Sequence, residues 1–144
     1  MTYLHVPQRG MSAYIYEDDR ATASARALLR FDRLRLPSVR RRIYQRDVPP
    51  LCTFPACEQA ELHGTRTHVI SECHQFNEVR QQCLARLAEL DLSLIFITIP
   101  VDLALGEVHH VHNVQTRKAV LAETGKLVRT IYTSLQPVVA GARV

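Results

Sequence analysis

Long apolar runs are missing from this chain. The longest, LIFITIP at residues 94–100, is about a third of the ~18–20 residues needed to cross a bilayer, so no membrane span is expected. The first residues, MTYLHVPQRGMSAYIYEDD, lack the basic start and apolar core of a secretory signal. Their three consecutive acids, Glu17, Asp18 and Asp19, also depart from the Arg-rich, acid-poor pattern of a mitochondrial presequence. The expectation is an intracellular protein, with nucleus and mitochondrion both open. There is no internal repeat and no low-complexity segment. No Ser/His/Asp or Cys/His nucleophile pairing emerges, so no enzyme is expected. In a reducing compartment the four cysteines point to a metal or to buried thiols rather than to a disulfide framework.

Lysine is nearly absent as well, occurring only as Lys118 and Lys126, while residues 20–46 carry nine arginines and no lysine. Outside that segment the chain is close to neutral or slightly acidic. Arginine is the residue that makes bidentate phosphate contacts, so one reading is a phosphate-facing surface. The plainer readings are a solvated helical face, or arginines paired with acids of a protein partner.

At 144 residues there is material for one domain. Residues 1–17 read as an irregular arm and 137–144 as a tail, with one domain over 18–136. Asp18 or Asp19 caps a helix predicted over 20–32, with Ala27, Leu28, Phe31 and Leu34 at helical spacing. A second short helix, VRRRIYQRD, opens at Pro37 or Ser38. Thr67 is the expected N-cap of a short helix over His68–Glu72. A longer helix is predicted over 75–90, with Phe76, Val79, Cys83, Leu84, Leu87 and Leu90 as its buried stripe. LIFITIP reads as a helix or an extended linker, since a lone strand would have no partner. Asp102–Gly106 reads as one helical turn closed by glycine. The last helix is predicted over 111–135, with Val114, Ala119, Val120, Leu121, Leu127, Val128, Ile131 and Leu135 mostly inward. Gly125 inside it costs about 1 kcal/mol relative to alanine, which close helix packing would excuse. The expected fold is all-α, a small helical array around an irregular CCHC zinc-knuckle loop.

That loop holds the chemistry. In LCTFPACEQAELHGTRTHVISECHQFNEVRQQC, a C-x4-C pair and an H-x4-C pair stand ten residues apart. A structural zinc site wants four N or S donors in a tetrahedron, commonly as two pairs on short loops. Cys52, Cys57, His68 and Cys73 are the candidate ligands. Residues five apart on an ideal helix point about 140° away from each other, so the helix must end or loosen before Cys73. Three thiolates would leave a zinc site with net negative charge, and Arg66 is placed to offset it. Residues 51–66 have few large apolar side chains, and a metal tether supplies the stability they lack. Cys83 lies on an apolar stripe and is expected in the core. His63 and His74 are competitors for the histidine position, and His109, His110 and His112 read as an exposed helix start.

The order C-x4-C, then T-x-H-V-I-S-E-C, then a helix rich in Arg and Leu resembles the zinc-binding domain at the C-terminal end of non-LTR retrotransposon reverse transcriptases. The resemblance covers about residues 25–133. RALLRFDRLRLPSVRRRIYQRDVPPLC is similar to the family's arginine-bearing lead-in, and VLAETGKLVRTIY to its closing helix. The family more often spaces its Cys pair by two residues. Tyr16-Glu17-Asp18-Asp19 copies a polymerase string, but a helix start follows it and no palm, fingers or second carboxylate fits; Asp18 and Asp19 are read as helix capping. The resemblance implies a non-catalytic, Zn2+-stabilised nucleic-acid-binding module without the polymerase, RNA being favoured over DNA. Arg33, Arg35, Arg40, Arg41, Arg42 and Arg46 are the expected contacts. The alternative is a domesticated fragment serving as a structural subunit of a large assembly, such as an organellar ribosome or another mitochondrial complex.

Overall fold

The computed structural model describes residues 17–31, 36, 52, 54, 57 and 64–135. The predicted second helix, arm and tail, His63 and the six proposed phosphate contacts from Arg33 to Arg46 lie outside the described residues, as does Leu34. Among the described residues the fold is all-α, with no strand. Four α-helices appear in chain order: α1 (Arg20–Arg30), α2 (Asn77–Leu90), α3 (Val101–Ala104) and α4 (Val114–Ser134). A π-helical turn, His68–Glu72, and a 3-10 turn, His74–Phe76, lead into α2. A further 3-10 turn, Leu92–Leu94, follows it.

The hub is α4, against which α1, α2 and α3 all pack. Its inward residues Val120, Leu121, Leu127, Val128 and Ile131 are fully buried, as expected for an amphipathic helix. Val114 is the exception: it opens the helix beside its cap, Asn113, and is exposed. Gly125 marks where α1 crosses. A Cβ there would stand 2.8 Å from Thr22 Cγ2 and 3.3 Å from Arg26 Nη2, so the helix carries a glycine because its neighbour leaves no room.

The buried face of α1 differs from the predicted one. Thr22, Ala25, Arg26 and Leu29 point inward, at the i, i+3, i+4, i+7 spacing. Phe31, predicted inward, is exposed at the C-cap, and Ala27 and Leu28 are only half-buried. The reason is Arg26. Its guanidinium is wholly buried yet fully engaged: Nε donates to Asp18 at 2.6 Å, Nη1 to the Ala104 carbonyl and Nη2 to the Leu121 carbonyl, both at 2.5 Å. One arginine thus ties the start of α1 to the end of α3 and the middle of α4. Arg30 reaches the same corner, bonding the Leu105 carbonyl and Glu107. Neither of these two arginines belongs to a phosphate-facing surface. Asp19, not Asp18, is the N-cap, accepting from the Thr22 N–H at 2.7 Å.

Between α2 and α3 residues 95–100 form a linker rather than a helix, extended at Ile95 and Pro100 and bent at Ile97 and Thr98. Ser71 Oγ donates to the Ile99 carbonyl at 2.8 Å and Thr98 Oγ1 to the Ser71 carbonyl at 2.7 Å, stitching this linker to the π turn. Gly106, at φ 93°, closes α3 as predicted.

Candidate metal centre

Cys52, Cys57, His68 and Cys73 converge. One donor atom from each lies within 4.8 Å of all the others, and all four residues are buried. Cys73 Sγ stands 3.8 Å from Cys52 Sγ and 3.7 Å from Cys57 Sγ. A disulfide needs about 2.05 Å, and all four cysteines are free. Bonds of about 2.3 Å from one tetrahedral ion would hold sulfurs about 3.8 Å apart, which is the spacing found. These four residues could therefore bind a metal.

The backbone explains how residues five apart can meet. The Cys73 N–H bonds the His68 carbonyl at 2.6 Å, an i to i+5 closure, so His68 and Cys73 sit one widened turn apart. This is the loosening that the H-x4-C spacing requires, and π-helical turns of this kind concentrate at functional sites. Cys73 itself is extended, which ends the turn. Thr67 does not cap it: its side chain makes no cap bond, and Thr65 Oγ1 accepts the His68 N–H instead, at 3.2 Å. On the other strand of the loop, the Cys57 N–H closes on the Phe54 carbonyl at 2.9 Å. The Phe54 ring then packs edge-on against Phe76, at 5.4 Å between centroids.

Backbone N–H groups face the sulfurs. The His74 N–H points at Cys57 Sγ from 3.2 Å, and those of Phe54 and Gln75 act on Cys52 and Cys73. Such donors stabilise thiolate over thiol. Burial works against them, pushing the Cys73 thiol up to about 12, with the neighbouring Cys52 adding in the same direction. Cys52 is also raised, first by burial. Burial lowers the His68 pKa and so favours the neutral, ligating imidazole, while the Glu72 carboxylate pulls the other way. A cation among the donors is what would turn these buried thiols into thiolates.

His68 carries the most telling detail. It is 2% exposed, and neither Nδ1 nor Nε2 has a hydrogen-bond partner. A buried imidazole with both nitrogens idle is costly, and one metal bond would relieve it. The Glu72 carboxylate stands 3.5 Å from Nδ1, where it can orient the ring as metal-bound histidines require. Compared with protein families, curated proteins and solved structures, the chain gives no match.

Two arginines stand near the centre. Arg66 donates to the Leu29 and Arg30 carbonyls at the end of α1, at 3.3 and 2.6 Å, and so joins the two segments. Behind the cluster lies Arg80 on α2, which the sequence reading left unnoticed: it is 3% exposed and donates to the Cys73 carbonyl at 2.7 Å. An arginine at i+7 from Cys73, amid apolar α2 positions, was the available signal. Cys83 is buried in the core as expected, its thiol bonded to the Glu123 carbonyl. The His74 side chain is exposed, and so are His109, His110 and His112, which precede α4.

Proposed function

We propose that the metal is Zn2+ and that the chain is a non-catalytic nucleic-acid-binding module, RNA being preferred to DNA, as the resemblance to the C-terminal zinc-binding domain of non-LTR reverse transcriptases implies. The observation that carries the reading is the convergence of three sulfurs and an idle imidazole at tetrahedral spacing. Three sulfurs and one nitrogen suit zinc. Four protein donors fill its coordination sphere and leave no position for water activation, so the ion's work is structural. It closes a loop of few apolar residues onto the helices.

The nucleic-acid part rests on charge. Arg33, Arg35, Arg40, Arg41, Arg42 and Arg46 lie between two buried anchors, Leu29 and Cys52, with a third, Leu36, among them. Arg26 and Arg30 are engaged inside the fold, so binding falls to the arginines beyond them. Replacing Arg40, Arg41 and Arg42 with alanine should weaken binding of a short single-stranded RNA and flatten its log–log salt dependence by about 2. Unchanged affinity and slope would end this reading.

A second reading, a structural subunit of a large assembly, is favoured by one observation. Leu92, Ile95 and Ile97 are 84%, 61% and 99% exposed in a segment with no charge between Asp91 and Asp102. A chain that ignores oligonucleotides and is recovered stoichiometrically within an organellar ribonucleoprotein or another mitochondrial complex would decide for it.

A further inference from the structure

Arg80 is 3% exposed and sits directly behind the π turn. Its Nε donates to the Ile70 carbonyl at 3.0 Å, Nη2 to the Cys73 carbonyl at 2.7 Å and Nη1 to Asn77 Oδ1 at 2.9 Å. Every one of these acceptors is neutral. Among the described residues no carboxylate stands within ion-pair distance of it, in contrast to Arg26, which has Asp18. Its bond to the Cys73 carbonyl sets the guanidinium directly behind a ligand residue, and the Glu72 carboxylate, which faces His68, is solvent-exposed and makes no ion pair with it. A buried guanidinium without a counter-charge is expensive, and hydrogen bonds to carbonyls recover only part of that cost.

The charge count closes when the metal is added. A divalent ion with three thiolates and a neutral imidazole carries one net negative charge, and one guanidinium balances it. We propose that Arg80 is the built-in counter-ion of the metal centre: it neutralises the metal–trithiolate unit while its planar fork holds the Ile70 and Cys73 carbonyls, fixing the turn that brings His68 and Cys73 together. This inference rests on the metal-centre reading above. It makes Arg80 a positioning residue that favours the loaded over the unloaded state, rather than a ligand.

The test is a Co2+ titration of the whole chain followed by Zn2+ competition, in wild type, Arg80→Gln and Arg80→Lys. Tetrahedral Co2+–thiolate absorption in the wild type establishes the centre; its absence would sink the metal reading itself, whatever Arg80 does. Given that spectrum, Arg80→Gln should bind about 10–100-fold more weakly, as outer-shell changes typically do, while keeping the same band shape at saturation. Arg80→Lys retains the charge and should lose less than about tenfold. Wild-type affinity in Arg80→Gln overturns the counter-ion role. Equal weakness in Lys and Gln overturns it as well, because charge would then not be what matters. Should the Gln variant fail to fold, the Lys variant alone still decides: tight binding supports the role, and a loss beyond about tenfold refutes it.

Discussion

Where α1 crosses α4, the chain buries Ala25 and Leu29, sets Thr22 against Gly125, and closes the corner with an ion pair, Arg26 to Asp18. Where Cys52 and Cys57 meet the turn His68–Cys73, it buries three sulfurs and an imidazole, and among the described residues no carboxylate forms an ion pair with the nearby Arg80 guanidinium. The two regions use the same device, a wholly enclosed arginine bonded to backbone carbonyls, with opposite completions. In the first the counter-charge is covalently part of the protein and always present. In the second it comes with the ion. The first region should therefore be indifferent to metal, and the second should not.

Chelation is the sharpest way to break that comparison. With EDTA, or in Cys73→Ser, amide exchange should accelerate throughout 64–76 by several orders of magnitude, with far smaller changes in α4; the free energy of a structural zinc is ample for this. Cys83→Ala, on a thiol of equal burial but outside the cluster, should leave metal stoichiometry intact and cost about 1 kcal/mol. Equal effects of the two substitutions would erase the distinction between the regions.

Arg26→Met tests the other side. It leaves Asp18 buried without its partner and two carbonyls unbonded, so denaturant unfolding should show a loss of about 3–5 kcal/mol, with metal content unchanged. Gly125→Ala should be milder. Helix propensity gains about 1 kcal/mol, but the new methyl collides with Thr22, and overpacking of this kind costs about 1–3 kcal/mol. The expected net is a loss of about 1 kcal/mol by thermal unfolding. The smallest effect concerns Asp19, whose carboxyl is held below its usual value by the Thr22 backbone N–H. A lowered folded-state pKa means that its contribution is present above about pH 4 and fades as pH falls through the folded value. Asp19→Asn, an equally good cap that does not titrate, should flatten that part of the acid-stability profile.

Much of this was legible in the sequence because it follows from periodicity and donor chemistry. Most of the α2 and α4 stripes, Cys83 in the core, the crowded Gly125, the glycine stop at Gly106 and the four converging ligands all come from residue type at a given spacing; Leu90, predicted inward at the end of α2, is exposed, and Val79 is only half-buried. The failures share a cause. Arg26 and Arg66 are read from sequence as surface charge or counter-charge by position along the chain, and Arg80 goes unread, whereas each is placed by carbonyls far from it in sequence or on another element. Periodicity ranks an arginine as polar and so turns α1 the wrong way, exposing the face that holds Arg26 and burying Phe31. Thr67 lost its cap role for a local reason: the π turn begins inside an existing helical bend, where Thr65 has the better reach.

Two of the three acceptors of Arg26 lie 78 and 95 residues further along the chain. During synthesis that guanidinium cannot be fully enclosed until Leu121 has left the ribosome, because Asp18 alone satisfies only its Nε. Any product stopped short of α4 would keep a cation on the face of α1 meant for packing, and quality-control proteases would meet it as an open helix rather than as a smaller version of the fold.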